Sequence, residues 1–212
     1  MFLVRFALTE GYGVVSERII RDRFFSKMSR KLGIRSVLEV PADGTSGLPG
    51  INSTCFAQQG CRVTIANTDE EFLEKSEELW KAMRLQVNPI RPISYERLPF
   101  KDCEFDLVWN YCEIEKSRSP QKLLKEMTRV SRNFVLIMIQ NSLTYGYFIH
   151  RIHHRYFNKP WNHGNPKLMR IEKIIHLAKE CDLKILETGL IDAPPFPDTW
   201  ELMLFPLSTK KD

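Results

Sequence analysis

Four short apolar runs dominate the chain: Ser36-Val-Leu-Glu-Val40, Arg62-Val-Thr-Ile-Ala66, Phe105-Asp-Leu-Val-Trp109 and Asn133-Phe-Val-Leu-Ile-Met-Ile139. They are too short for buried helices and too continuously apolar for strands with one wet face, so they read as strands covered on both sides. Segments of helical spacing fall among them. Strand and helix in alternation imply right-handed crossovers and an α/β fold with a doubly wound, mostly parallel sheet.

The helical segments can be placed individually. Over residues 14–32, Val15, Ile19, Ile20, Phe24, Met28 and Leu32 mark one face, and Gly33 stops the helix. A helix over 69–83 carries Phe72, Leu73, Leu79 and Trp80 and is capped by Thr68 or Asp69. A weaker strand is expected at 90–95 and a helix at 120–131. After Gln140 the rhythm breaks until about residue 170, and a loop of that length inside a compact domain is usually functional. A helix at 169–181, a strand at 183–190, the turn Pro194-Pro-Phe-Pro197 and a strand at 200–205 complete the expectation.

At 212 residues and 43% hydrophobic content the chain reads as a single domain over 1–212, with 141–170 as an insertion that covers substrate. The net charge of +5 comes from 31 basic and 26 acidic residues that are interleaved, which describes a mixed surface better than a nucleic-acid footprint. The five cysteines form no C-x-x-C pair, and an odd count suits a reducing, cytoplasmic setting. Met1 to Leu8 lacks the features of a secretory leader and no 18-residue apolar run is present, so a soluble, unprocessed protein is expected. The oligomeric state is not indicated.

Glycines after the first strand let backbone N–H groups approach a ligand at the carboxyl edge of a sheet. Read together, Val37-Leu-Glu-Val-Pro-Ala-Asp-Gly-Thr-Ser-Gly47, Cys61-Arg-Val-Thr-Ile-Ala-Asn-Thr-Asp69, Leu98-Pro-Phe-Lys-Asp-Cys-Glu-Phe-Asp-Leu-Val108 and Leu124-Lys-Glu-Met-Thr-Arg-Val130 resemble the class I S-adenosylmethionine-dependent methyltransferases. The likeness runs over residues 34–140 and is closest to the small-molecule group with Leu-Pro-Phe before a fourth strand that opens on Phe-Asp. It implies a Rossmann-like sheet of seven strands with the last antiparallel, and an insertion after the fifth.

The resemblance implies a cofactor, S-adenosylmethionine, over the carboxyl ends of the early strands. Glu39 matches the acidic end of the first strand, and Pro41, Asp43, Gly44 and Gly47 fall in the glycine loop. Asn67, Thr68 and Asp69 fall where the ribose hydroxyls are met, Tyr95 and Glu96 where the adenine edge is contacted, and Trp109, Asn110 and Tyr111 where the fourth strand opens toward the methyl group. Three positions depart from the family: Pro41 stands at its first glycine, Asn67 at its ribose carboxylate, and Ser94 at a common Asp. Asp69 takes the place of that carboxylate or caps the following helix; Trp109 and Tyr111 serve the ligand or the core.

His150, His153 and His154 share one face of a helix, a spacing compatible with metal ligation. With no Cys, Asp or Glu between Gln140 and Arg170 to complete a set, the reading is a basic helix covering the active site, and no metal is expected. The acceptor is placed among Tyr145, His150, His154, Trp161, Asn162 and His163, with His154 or His163 as general base for a hydroxyl or amine. Methyl transfer to a small-molecule acceptor is the expected activity, since positioning alone can supply on the order of 7–11 kcal/mol. The alternatives are a non-catalytic cofactor-binding or regulatory protein on the same fold, and an RNA methyltransferase, which requires Arg151, Arg155, Lys159, Lys167 and Arg170 on one basic face.

Overall fold

The structure, a computed structural model, describes residues 12–42, 48–143, 145–161 and 163–191. The elements in chain order are α1 (Tyr12–Leu32), β1 (Ser36–Glu39), a 3-10 turn (Ile51–Ser53), α2 (Thr54–Gln58), β2 (Arg62–Ala66), α3 (Glu70–Ala82) and β3 (Asn88–Ile90). Then come β4 (Phe105–Tyr111), a second 3-10 turn (Ile114–Lys116), α4 (Pro120–Val130), β5 (Ser131–Met138), α5 (Tyr145–Tyr156) and α6 (Ile171–Glu180). All strand pairs are parallel, in the order β3-β2-β1-β4-β5.

Strand alternation divides the core in two. Leu38 and Val108 point to the face covered by α4 and α6 through Leu123, Leu124, Met127, Val130, Ile174 and Leu177. Val37, Leu107 and Trp109 point to the face covered by α1, α2 and α3 through Phe25, Phe56 and Trp80. Helices on both faces explain why the strands read as unbroken apolar runs. Burying Phe25, Phe56, Trp80 and Trp109 completely is worth about 1.5–3 kcal/mol per large side chain.

The resemblance implied seven strands; the described residues contain five. The strand expected at 183–190 is not formed: this stretch makes no ladder with β5, and its side chains beyond Leu183 are exposed. The strand expected at 200–205 lies outside the described residues. The third strand occupies Asn88–Ile90 rather than 90–95, its pairing with β2 ending at Ala66 and Ile90. No helix among the described residues is long and apolar enough to cross a membrane.

Candidate functional site

The strand order reverses between β1 and β4, so a crevice opens beyond the carboxyl ends of these two neighbours, where open α/β sheets receive ligands. Backbone bonds carry the chain into it: Val40 N donates to Trp109 O at 2.9 Å and Ala42 N to Ala66 O at 2.8 Å. Pro41 is buried between them. Asp43, Gly44 and Gly47 lie outside the described residues.

Glu39, at the end of β1, is fully buried. Its carboxylate accepts from Ser53 Oγ at 2.5 Å and from Asn52 Nδ2 at 3.4 Å, both on the turn that follows the loop. Ser53 Oγ in turn accepts the Trp109 Nε1–H at 3.0 Å. The charge is thus met by donors rather than left bare in the core. The Trp109 ring packs edge-on to Phe25 with centroids 4.7 Å apart, so its side chain serves the core while its carbonyl serves the edge.

The end of β2 is organised by Asn67. Its Nδ2 donates to Ala42 O at 2.7 Å and its Oδ1 accepts from Asp69 N at 2.8 Å, so the side chain ties the edges of β1 and β2 together. Asp69 caps α3, accepting from Glu71 N at 3.0 Å and Phe72 N at 3.5 Å. Thr68 and Asp69 are exposed, and Tyr95 OH accepts the Thr68 N–H at 2.9 Å. Burial pushes the Tyr95 phenol above its usual pKa. Ser94 shapes the adjoining turn by accepting from Glu96 N at 3.0 Å, and Glu96 pairs with Lys122 at 2.7 Å across to α4.

At the end of β4, Asn110 is fully buried under α4: Nδ2 donates to Met127 Sδ at 3.6 Å, and Oδ1 has no partner among the described residues. Tyr111 points to the opposite face, where its hydroxyl meets Glu17 and the Arg21 guanidinium lies 4.7 Å over its ring. Burial, with Cys112 and Glu17 as nearby negative groups, pushes the Tyr111 phenol well above its ordinary value. Sequence reasoning missed Glu17 and Arg21; their only signal was two charges on the first helix.

The segment that follows β5 is fastened to the same end of the sheet by Glu115. Its carboxylate accepts from Gln140 N at 3.1 Å and its carbonyl from Asn165 N at 2.7 Å. Gly164 has φ +96° and sits so close that a Cβ would stand 2.8 Å from the Glu115 carbonyl oxygen. Next to it, His163 Nε2 lies 2.7 Å from His150 Nε2 and 3.2 Å from His154 Nε2. Burial, then the neighbouring histidines, brings His150 down to about 4; His163 is also lowered, by burial first and then by His154 and Lys116.

His153 does not join this group; it packs on Phe157 at 4.6 Å. Trp161 contacts all three clustered imidazoles and donates from Nε1 to Gly164 O at 2.8 Å. The Tyr145 side chain and Asn162 lie outside the described residues. An open hollow of about 560 Å³ is lined by Tyr147, Phe148, Arg151, His154, Arg155 and Trp161, with Lys159 and Ile152 at its side. Of the basic residues expected on one face, Arg151, Arg155 and Lys159 meet here; Lys167 and Arg170 do not, and Arg170 faces Glu172 at 3.8 Å.

Residues 44–138 match the family model described as a methyltransferase domain. Over 110 residues the chain is 27% identical to the glycine/sarcosine/dimethylglycine N-methyltransferase of Actinopolyspora halophila; the match takes in 51% of this chain and 19% of that protein. The chain therefore spans about a fifth of the length of this curated relative. In fold it is similar to a putative S-adenosyl-L-methionine-dependent methyltransferase from Methanococcus maripaludis, with a TM-score of 0.59 and 14% identity over 82% of this chain and 81% of that one. A SAM dependent methyltransferase from Aquifex aeolicus gives a TM-score of 0.55 and 15% identity over 76% and 80%.

Proposed function

We propose that the chain, whose residues 44–138 match the methyltransferase-domain model, transfers a methyl group from S-adenosylmethionine to a small-molecule acceptor. The observation that carries this reading is that the matched segment supplies the ends of β2 and β4, which flank β1 where the strand order reverses and the crevice opens. S-adenosylmethionine supplies a methyl group already electrophilic on its sulfonium. The residues present fit it: Thr68 and Asp69 stand exposed at the end of β2 beside the Tyr95 hydroxyl, a polar set for a ribose.

In this reading Asn67 and Glu39 act one step back. Asn67 fixes the turn that presents Thr68 and Asp69, and Glu39 holds the Ile51–Ser53 turn against β1. In the same reading, cofactor contact falls to Pro41, Asp43, Gly44 and Gly47 and to Glu96 beside Tyr95, with the backbone at Trp109, Asn110 and Tyr111 closing the β4 side. Catalysis is chiefly alignment and exclusion of water. Acceptor contact is assigned to Tyr145, His150, Trp161 and Asn162, and His163 or His154 takes the proton of a hydroxyl or amine. The cations of the hollow suit an acceptor with an apolar body and a negative charge.

Calorimetric titration with S-adenosylmethionine and S-adenosylhomocysteine tests the reading. Micromolar binding of both, weakened at least tenfold by Asp69→Ala, is the expected result. Failure of a folded sample to bind either one overturns it and favours a non-catalytic protein on the same fold.

A further inference from the structure

We propose that His150, His154 and His163 form a binding site for a divalent transition-metal ion, with Zn²⁺ the best match. The three rings come from two segments. His150 and His154 are one helical turn apart on α5, and His163 follows after the chain has reversed. One nitrogen from each falls within 4.8 Å of the others. At ordinary Zn–N lengths, tetrahedral ligand nitrogens stand roughly 3.3 Å apart, so small rotations of these rings suffice.

Hydrogen bonding in the cluster favours a cation at its centre. His154 Nδ1 lies 2.9 Å from Pro160 O, a carbonyl that can only accept, so this nitrogen carries the hydrogen and Nε2 of the neutral ring is bare. His163 Nε2 is 3.2 Å from that bare nitrogen and 2.7 Å from His150 Nε2. One hydrogen on His163 Nε2 can lie along only one of these contacts. Among the described residues no anionic side chain stands in the group to favour protonated rings. A metal ion would turn every one of these lone pairs toward attraction. The Nδ1–H to backbone carbonyl bond of His154 is also the usual outer support of a metal-bound imidazole.

The supports of the cluster do not depend on an ion. Trp161 packs on all three rings and is anchored to Gly164 O, while Gly164 and Asn165 are seated on Glu115. The helix thus fixes two ligands and a separate anchor the third. An all-imidazole set with no carboxylate selects Zn²⁺, Co²⁺, Ni²⁺ or Cu²⁺ over Mg²⁺ and Ca²⁺. Three protein ligands leave a fourth position open to water or to an acceptor atom. Metal binding takes up the lone pairs a general base would use, so the ion and the proton-accepting role of His154 or His163 compete.

The site is tested without nucleotide, on chelator-treated full chain titrated with Co²⁺ and then Zn²⁺. The expected result is one Co²⁺ per chain with the visible absorption of a tetrahedral complex, displaced by Zn²⁺. His154→Gln and His163→Gln, each shown by circular dichroism to be folded, should weaken affinity at least tenfold, and His153→Gln should leave it unchanged. Absence of stoichiometric binding, or binding that survives both cluster variants, overturns the proposal. Because no nucleotide is present, failure here is distinct from failure to bind S-adenosylmethionine.

Discussion

Glu126 accepts the backbone N–H of Leu98 at 2.8 Å, across from α4 to the loop that leads into β4. Its neighbour Arg129 donates to Glu126, to the carbonyls of Leu98 and Phe100 and to Asp102 Oδ1, all between 2.7 and 3.0 Å. The Leu-Pro-Phe segment and the Leu124–Val130 segment, which carry much of the family likeness, are thus two halves of one clamp.

Glu126→Gln is expected to lower stability by about 1.5–3 kcal/mol at neutral pH, the range for a hydrogen bond to a charged group. The Arg129 hydrogen bond holds the Glu126 carboxyl below its ordinary 4.5. The unfolded chain therefore protonates first on acidification, so this contribution is complete above 4.5 and is lost as pH falls through the lower folded value. Urea denaturation from pH 7 to 3 should show a shallower acid-side fall in the variant.

Ser53→Ala removes the hydroxyl that donates to the buried Glu39 carboxylate at 2.5 Å and accepts the Trp109 indole N–H. The expected loss is about 2–4 kcal/mol. Thermal and urea unfolding measure it.

Gly164→Ala places a Cβ against the Glu115 carbonyl at a φ that suits glycine. The loop should lift from its seat at a cost of about 1–3 kcal/mol. Hydrogen exchange at the Asn165 amide reads this directly: slow in the wild type, fast in the variant.

The Tyr111 phenol should remain protonated well beyond pH 10, since burial and the negative neighbours raise its pKa. A raised folded value stabilises the native state below the unfolded value near 10, and that contribution fades as pH climbs toward the folded one. Absorbance titration should show wild type and Tyr111→Phe gaining the same phenolate signal up to pH 11.

Periodicity made the sheet and its covering helices readable, because the runs in β1, β2 and β4 are buried under helices and the run in β5 is partly buried against the same two cores. Extents were harder: the third strand ends where β2 does, at the pairing of Ala66 with Ile90, and among the described residues no ladder partner receives residues 183–190. At the site, residue types pointed to the carboxyl ends of the early strands but not to side-chain directions. Asn110 and Trp109 turn into opposite halves of the core because neighbours on a strand must. Helical spacing grouped His153 with His150 and His154, whereas the third ring at the centre is His163, brought in by a chain reversal that no periodicity encodes. The roles of Glu17 and Arg21 were hidden for the same reason, since Tyr111 is 94 residues from Glu17.

The central pairing of β1 with β4 also bears on how the chain is made. The contact between Ser36 and Asp106 spans 70 residues, so when β1 leaves the ribosome the strand it will lie beside on one flank has not been synthesised. At roughly 5–20 residues per second the wait is on the order of 4–14 s. During that interval Val37 and Leu38 can rest only on β2 and the first helices. A nascent chain of this sequence should therefore be a client for chaperone capture until β4 emerges, and pausing translation just before Phe105 should lengthen that exposure.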